Sequence, residues 1–312
     1  MTGQNSRPHH ILVDWGTSNA RAWLLDGDGR ILDHRSRPIG IRQVEDSDFG
    51  MALDSMLAEW AYHEATPVLM SGMIGSRQGW HETPYVPCPA SIDDLFSGIQ
   101  AIPDRPNVRI TPGINDGTSD VMRGEEVQIF GAVSMLDRTD KNRIFCLPGT
   151  HSKWAEVEDG RLRRFATAMT GEAYAAFADH TILGAMMPDR VNRDDGRSGF
   201  SQGLAQSREP GGLLHHVFSV RSLALFEQID PEDLRGYLSG ILIGHEICDM
   251  LKLFGNPAEV IVVGEAALAQ IYIEAITNSG SQASMIDAEK ATLAGLSRLA
   301  ELPHEQSTEK QG

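Results

Sequence analysis

The stretch VDWGTSNAR, residues 13–21, decides the fold. It follows the apolar run Ile11-Leu12-Val13, so an acid, a glycine and two hydroxyls stand where a strand must turn. Alone, such a turn reads first as a polar hairpin and only second as a phosphate cradle. Glycine lets backbone N–H groups approach an anion, and hydroxyls add donors. The pattern returns at LPGTHSKW, residues 147–154, again after an apolar run, RIFC. In each stretch a strand ends in Gly-Thr, and a second strand, an acidic-glycine turn and a third strand follow. The turns are DGDGR at 26–30 and EDGR at 158–161. Self-similarity across more than a hundred residues indicates a duplicated domain rather than a short repeat array.

Periodicity fills in the rest. Strands are expected at 10–14, 20–25, 31–36, 67–70, 143–147, 162–167 and 259–264. Helices are expected at 49–62, 120–136, 171–180, 212–227, 231–254, 266–278 and 287–300. DPED at 230–233 looks like a helix cap. VIVVGEAALAQIY, residues 260–272, is strand–Gly–helix, so Gly264 can bring the backbone against an adenine ring or a phosphate. Small residues at Ala288, Ala291, Ala294 and Gly295 suit a last helix packed closely near a hinge or a nucleotide.

Composition narrows the function. The formal charge of −16 argues against a nucleic-acid partner, which needs a basic face. It leaves room for a small anionic ligand in a locally positive site. The three cysteines, Cys88, Cys146 and Cys248, lack metal or redox spacing and read as buried thiols of a reducing compartment. The histidine pairs 9–10 and 215–216 read as partly exposed, without further ligands at metal spacing. The first residues have no apolar signal core, and no apolar run approaches a membrane span. A soluble, cytoplasmic protein without membrane or nucleic-acid partner is expected, and a homo-oligomer is compatible with the sequence.

Two further segments carry chemistry. MSGMIGSRQGWHETPYVPCPA, residues 70–90, is long for a connection and rich in Gly, Ser and aromatics. Such loops bind ligands. Ser71, Gly72, Met73, Arg77, Trp80 and Tyr85 are its candidate substrate contacts. PGINDGTSDVMRGEEVQIFGA, residues 112–132, crowds Asp116, Asp120, Arg123, Glu125 and Glu126 around an expected helix start. First-turn carboxylates suit the helix dipole, and Asp120 reads equally as an N-cap. A phosphoryl-transfer enzyme also needs a carboxylate to accept the proton of the attacking hydroxyl. Asp120, Asp116, Arg123 and Glu125 are therefore the catalytic candidates. Arg21 or Lys153 can offset developing charge.

Together, Asp-x-Gly-Thr-Ser with Arg21, the second Gly-Thr turn and the late strand–Gly–helix resemble the actin-like ATPase and sugar-kinase superfamily. VDWGTSNARAWL, SGMIGSRQGW, PYVPCPA, DVMRGEE, LPGTHSKW, MTGE and LSGILIGHE resemble, more narrowly, the 2-dehydro-3-deoxygalactonokinases, over residues 10–300. The resemblance implies an α/β fold of two duplicated actin-like, ribonuclease H-like domains. Each would be a mixed sheet flanked by helices, with a nucleotide and substrate cleft between them. It places an N-terminal domain at 8–138, a C-terminal domain at 139–302 and a frayed tail at 303–312. It implies ATP-dependent phosphorylation of the 6-hydroxyl of 2-dehydro-3-deoxy-D-galactonate in galactonate catabolism, with Mg²⁺. By the superfamily pattern Asp14 organises the metal, and Gly16, Thr17 and Ser18 form the first phosphate loop. Gly149, Thr150, His151, Ser152 and Lys153 fall in the second, and Gly264 in the adenosine motif. The second loop departs from that pattern: Leu147-Pro148 stands where an Asp is often found, leaving Asp14 as the pair's metal-organising acid. Asp116 and Asp120 both suit the base, with Asp120 preferred for its link to the helix carrying Arg123 and Glu125. Arg77 and Arg123 are candidate cations for the substrate carboxylate. A kinase of another sugar or sugar acid on the same scaffold, or a non-catalytic actin-like ATP-binding protein, are the alternatives.

Overall fold

A computed structural model describes residues 8–60, 65–136, 142–188 and 197–302. The expected tail at 303–312 and the expected domain boundary at 138/139 lie outside the described residues. The chain divides into two compact units. The first holds the described residues within Met1–Asp140, Glu158–Arg163 and Ala288–Gly312, the second those within Lys141–Val157 and Arg164–Asp287.

The first unit opens with β1 (Pro8–Trp15), β2 (Ala20–Asp26) and β3 (Ile31–Arg37). DGDGR turns β2 into β3: Asp26 Oδ1 accepts the N–H groups of Asp28 and Arg30, and Gly29 takes φ +75°. Next come α1 (Phe49–Leu57), β4 (Val68–Ser71), β5 (Tyr85–Pro87) and α2 (Ile92–Ser97). β6 (Gln100–Ile102), β7 (Arg105–Ile110), β8 (Gly113–Asn115), β9 (Val121–Met122) and α3 (Glu125–Ser134) follow. The second unit holds β10 (Arg143–Leu147), β11 (Ser152–Glu158) and β12 (Arg161–Ala168), apart from Glu158–Arg163 at their shared turn, and α4 (Thr170–His180), α5 (Arg197–Gln206) and α6 (Leu213–Leu225). It continues with α7 (Leu234–Leu253), β13 (Glu259–Gly264), α8 (Ala266–Asn278) and β14 (Gln282–Asp287). The last helix is α9 (Ala288–Glu301).

The expected duplication is visible in the strand orders. One sheet runs β3-β2-β1-β4-β7-β6, a second β12-β11-β10-β13-β14, and a small third one β5-β8-β9. In the two large sheets, the first strand pairs antiparallel with its hairpin partner and parallel with the strand that follows the crossover. The Gly-Thr turns therefore stand at the same place in each sheet. The central strands are buried, as parallel strands covered on both faces must be. Val13, Trp15, Met70 and Ile110 lie in the first core, and Ile144, Cys146, Trp154 and Val262 in the second.

Several expectations need correction. The helix expected at 120–136 starts only at Glu125, because Val121-Met122 pairs with Ile114-Asn115 as a hairpin. The helix expected at 49–62 ends at Leu57. α9, assigned from sequence to the C-terminal domain, belongs to the first compact unit, where it packs on α3. A methyl placed at Gly131 would run into the backbone of Ala291, and one at Gly295 into that of Val127, so the helices meet backbone to backbone. Of the cysteines Cys146 alone is buried; Cys88 and Cys248 are half-exposed. His216, expected to be partly exposed, is fully buried, with its Nδ1 2.9 Å from His245 Nε2.

The α3–α9 contact predicts that Gly131→Val destabilises the protein by about 1–3 kcal/mol through overpacking. Val at Gly160, a turn position with open space where its Cβ would go, would cost about 1–2 kcal/mol for its positive φ alone. Denaturant melts measure both, and a Gly131→Val loss under half a kcal/mol would contradict the close packing.

Candidate active site

In the first unit, Asp14 ends β1 with its carboxylate only partly exposed. Its register partner across the hairpin is Arg21, whose Nη1 stands 3.6 Å from Oδ2. Burial raises the Asp14 carboxyl to about 6; Arg21 opposes the rise, while Glu125 and Glu289 add to it. The turn beyond is closed by a hydrogen bond from Gly16 N–H to Asn19 C=O, 2.9 Å. Gly40 lies directly beneath it, since a Cβ there would overlap the Thr17–Ser18 backbone. Ile41 N–H donates to Gly16 C=O, and Trp15 Nε1 to Ile39 C=O at 2.7 Å. The turn is thus rigid from below. The Thr17 and Ser18 hydroxyls, at its open side, make no hydrogen bond among the described residues.

Gly72 adjoins Asp14. It takes φ +94°, and a Cβ on it would stand 2.8 Å from Trp15 C=O and 3.3 Å from Asp14 Oδ1. Facing it is Gly124, φ +108°, whose Cβ would stand 3.3 Å from Gly72 Cα. Two glycines with left-handed backbones let the start of α3 reach the end of β1. Glu125 is the first residue of that helix, and it is Glu125, not Asp116 or Asp120, whose charge is felt at Asp14. Its Oε2 also accepts the N–H of Arg123 at 3.0 Å.

The residues expected as base candidates hold the β8–β9 turn. Asp116 Oδ1 accepts the N–H groups of Thr118, Ser119 and Asp120, and Oδ2 accepts the Thr118 hydroxyl at 2.6 Å. The hydroxyl first, then these N–H groups, lower its carboxyl to about 2. A carboxylate so satisfied organises the β8–β9 turn and is a weak base. Asp120 closes that turn through its carbonyl, which accepts Asp116 N–H, and sits before β9 rather than at a helix start.

Arg123 is buried. Its Nη1 donates to Thr83 Oγ1 and its Nη2 to Thr83 C=O at 2.8 Å. Its guanidinium lies 4.3 Å from the centre of the Tyr85 ring, a cation–π contact. Glu126, fully buried, accepts Gly124 N–H at 2.7 Å through Oε2. Burial, then neighbouring Glu125, raises its carboxyl to about 8, so it is neutral at pH 7. Four buried side-chain atoms of the described residues have no hydrogen-bond partner: Ser71 Oγ, Thr111 Oγ1, Arg123 Nε and Glu126 Oε1. All belong to the ends of β4 and β7 and the approach to α3. Buried polar groups without partners are uncommon, and a cluster of them marks a place built for other donors and acceptors. Thr83, Thr111 and Gly40 were not singled out from the sequence, and Glu126, named there in the acid-rich cluster, was given no role of its own. The Glu-Glu pair at a helix start looked like ordinary dipole chemistry there.

The remaining loop candidates divide. Met73 and Trp80 pack against the first core, with the Arg105 guanidinium 5.7 Å from the Trp80 ring. Arg77 is exposed and lies 4.0 Å from Glu82. Tyr85 begins β5, which pairs parallel with β8 and so pins the loop to the hairpin carrying Asp116.

In the second unit, Gly149 has open space where a Cβ would go, and Thr150 is exposed. The turn rests on the start of α4: Glu172 N–H donates to Thr150 C=O at 3.0 Å, and a Cβ on Gly171 would overlap Gly149 C=O. His151 Nε2 lies 2.5 Å from Glu172 Oε2. Lys153 Nζ donates to Thr167 Oγ1 at 2.7 Å. Ser152 is turned inward. Its hydroxyl pairs with Tyr272 OH at 3.0 Å, and Glu246 accepts from both Tyr272 OH and Trp154 Nε1. Gly264 ends β13, within ordinary contact of Pro148 and Ala269 and two residues before α8.

A family model, 2-keto-3-deoxy-galactonokinase, matches residues 14–299. A protein of Rhizobium meliloti described as a probable 2-dehydro-3-deoxygalactonokinase is 36% identical over 297 residues, covering 94% of this chain and 96% of that protein. The 2-dehydro-3-deoxygalactonokinase of Escherichia coli is 30% identical over 294 residues, 93% and 97% of the two chains. A solved structure from Sinorhizobium meliloti, described as a protein of the same activity, superposes with a TM-score of 0.87 at 35% identity, covering 94% of this chain and 98% of that one. Component A of (R)-2-hydroxyglutaryl-CoA dehydratase from Acidaminococcus fermentans shares the fold alone, with a TM-score of 0.52 at 12% identity over 94% and 99% of the chains.

The state of Glu126 has a measurable consequence. Its carboxyl goes from an ordinary 4.5 in the unfolded chain to about 8 in the fold, so the fold binds the extra proton between those values. Its contribution is full below about 4.5 and is lost as pH rises through about 8. The melting temperature of the wild type should fall more steeply between pH 5 and pH 8 than that of Glu126→Gln. Parallel curves would contradict a neutral Glu126.

Proposed function

The chain belongs to the 2-keto-3-deoxy-galactonokinase family, and on that premise we propose how its residues divide the work of an ATP-dependent sugar-acid kinase. The reaction is transfer of the γ-phosphoryl group of ATP to the 6-hydroxyl of 2-dehydro-3-deoxy-D-galactonate, giving the 6-phosphate and ADP, in galactonate catabolism. We place it in the cytoplasm, without a nucleic-acid or membrane partner.

The observation that carries the assignment is the meeting, at Gly72 and Gly124, of the Asp14 turn with Glu125 and the unpartnered atoms around Arg123 and Glu126. The open side of the Gly16-Thr17-Ser18 turn suits phosphate oxygens, with Arg21 beside it. In the second unit, Gly149 and the Thr150 N–H and hydroxyl have the same chemistry. Lys153 and His151 support that turn through Thr167 and Glu172. Ser152 supports it from within through Tyr272. Gly264 and the start of α8 are assigned to the adenosine.

Asp14 fits a hydrated Mg²⁺. It is a single, partly buried carboxylate at the end of a strand, and two further acids, Glu125 and Glu289, already make its surroundings favourable to a cation. When bound, that ion neutralises charge on the β- and γ-phosphate oxygens. We assign the general base to Glu125, which stands on the Asp14 side of Gly124, in place of the earlier preference for Asp120. Glu125 would take the proton of the 6-hydroxyl as O6 attacks the γ-phosphorus and the bond to ADP breaks. Arg123, held by Thr83 and Tyr85 with Nε unused, is the candidate cation for the substrate carboxylate. The exposed Arg77 is the weaker one. Ser71, Gly72 and Met73 line the same approach.

Kinetics on variants test these roles. A positioned base contributes about 10²–10⁴-fold. Glu125→Gln should therefore lower kcat at least about 100-fold while ATP affinity persists, and Asp120→Asn should keep most of its turnover. The reverse pattern would return the base to the β8–β9 turn. Arg123→Met should raise KM for the sugar acid far more than KM for ATP. Coupled ADP release over a panel of 2-keto-3-deoxy acids and neutral sugars tests the substrate. Preference for a neutral sugar would overturn the carboxylate reading.

A further inference from the structure

α6 carries an apolar stripe with no partner among the described residues. Its thirteen residues, LLHHVFSVRSLAL, bury His216, Val217, Val220 and Ala224 against the second unit. On the other side Leu214 is 79% exposed, Phe218 60% and Leu225 54%. Phe226, just past the helix, is 72% exposed. Arg221 completes the row. Positions 214, 218, 221 and 225 are spaced four, three and four, the seam of a helix that packs against another helix. Ile182 and Met186, on a 3-10 turn that packs beside α6, widen the patch. Two exposed phenylalanines alone offer on the order of 200 Å². With four exposed aliphatic side chains beside them, the patch reaches the several hundred Å² at which an exposed apolar surface is a functional one.

The order of the row says what covers it. Read from either end it runs Leu, aromatic or cation, cation or aromatic, Leu, with the outer pair Leu213 and Phe226 continuing the series. A twofold axis near positions 219–220 sets Leu214 against Leu225 of a second copy, Leu213 against Phe226, and Phe218 against Arg221. The last pair is a cation–π contact, worth about 0.5–2 kcal/mol. Arg221 has no hydrogen bond or ion pair among the described residues, although the chain carries 43 acids against 27 Lys and Arg. α6 itself holds no carboxylate, so two copies of a protein of charge −16 can approach here without the repulsion that acids on this face would bring.

We propose that α6 is the contact helix of an antiparallel, twofold-symmetric homodimer. A self-complementary patch is what an isologous interface requires. The expectation of a homo-oligomer thereby gains a surface and a register. Sedimentation velocity on the full chain tests it. The wild type should run at twice the chain mass at about 50 μM, above the dissociation constants of interfaces of standard size. Phe218→Asp, at the centre, should weaken the dimer at least about 100-fold, the scale of a hot-spot loss. Arg221→Glu should weaken it too, by bringing acids to the axis. Both variants should keep the wild-type melting profile as monomers and the wild-type kcat, because neither residue belongs to the site. A wild type that stays monomeric at 50 μM overturns the proposal. So does a dimer that Phe218→Asp leaves intact, since another face then holds it. A monomer that gains mass only with a different protein added places another partner on the stripe and overturns the homodimer equally.

Discussion

The chemistry of the first unit depends on one close approach, that of Gly72 to Gly124. At 3.3 Å from Gly72 Cα, the vacant Cβ position of Gly124 leaves no slack for a side chain. Both residues also sit in the left-handed backbone region, which costs other L-residues about 1–2 kcal/mol each. Every acid proposed to act is placed by this contact. Asp14 touches it from β1, Glu125 follows it on α3, and Glu126 locks it by accepting Gly124 N–H. A neutral, buried Glu126 suits that task, because a third full charge beside Glu125 and Asp14 would drive the turn apart.

The two units show how one strand order yields unlike sites. In each, a hairpin strand and a following parallel strand frame a Gly-Thr turn. The first turn ends in a charged strand, with Asp14, and is braced from below by Gly40 and Trp15. The second ends in Leu147 and is braced from within by Ser152, Tyr272, Glu246 and Trp154. The burial that raises the Glu246 carboxyl also makes this brace a structural one. Hydroxyls that look alike in Ser18 and Ser152 therefore face opposite ways, one outward and one into the core.

This explains what could be read from the sequence. The strands around both turns, the DGDGR hairpin and the helix at Ala266–Asn278 were legible, because apolar period and turn residues agree there. The family resemblance followed from the same motifs. The acid-rich segment was misread in one respect. Asp116 to Glu126 has the composition of a helix start, yet the first half closes a hairpin whose partner strand, Ile114-Asn115, is too short to show a period. Non-local contact decides there, since β5 pairs with β8 across the intervening α2, β6 and β7. Glu126 read as an ordinary first-turn acid because its full burial leaves no mark in the local pattern. His216 was taken as partly exposed because its partner His245 is on a different helix.

The account stands or falls on the glycine pair, and Gly124→Ala probes it with a single methyl. Turnover of the sugar acid, ATP affinity and the thermal melt would be measured on one preparation. If the pair sets the catalytic acids, kcat falls at least about 100-fold while ATP binding and most of the melting transition remain. A variant that turns over within twofold of the wild type would contradict it.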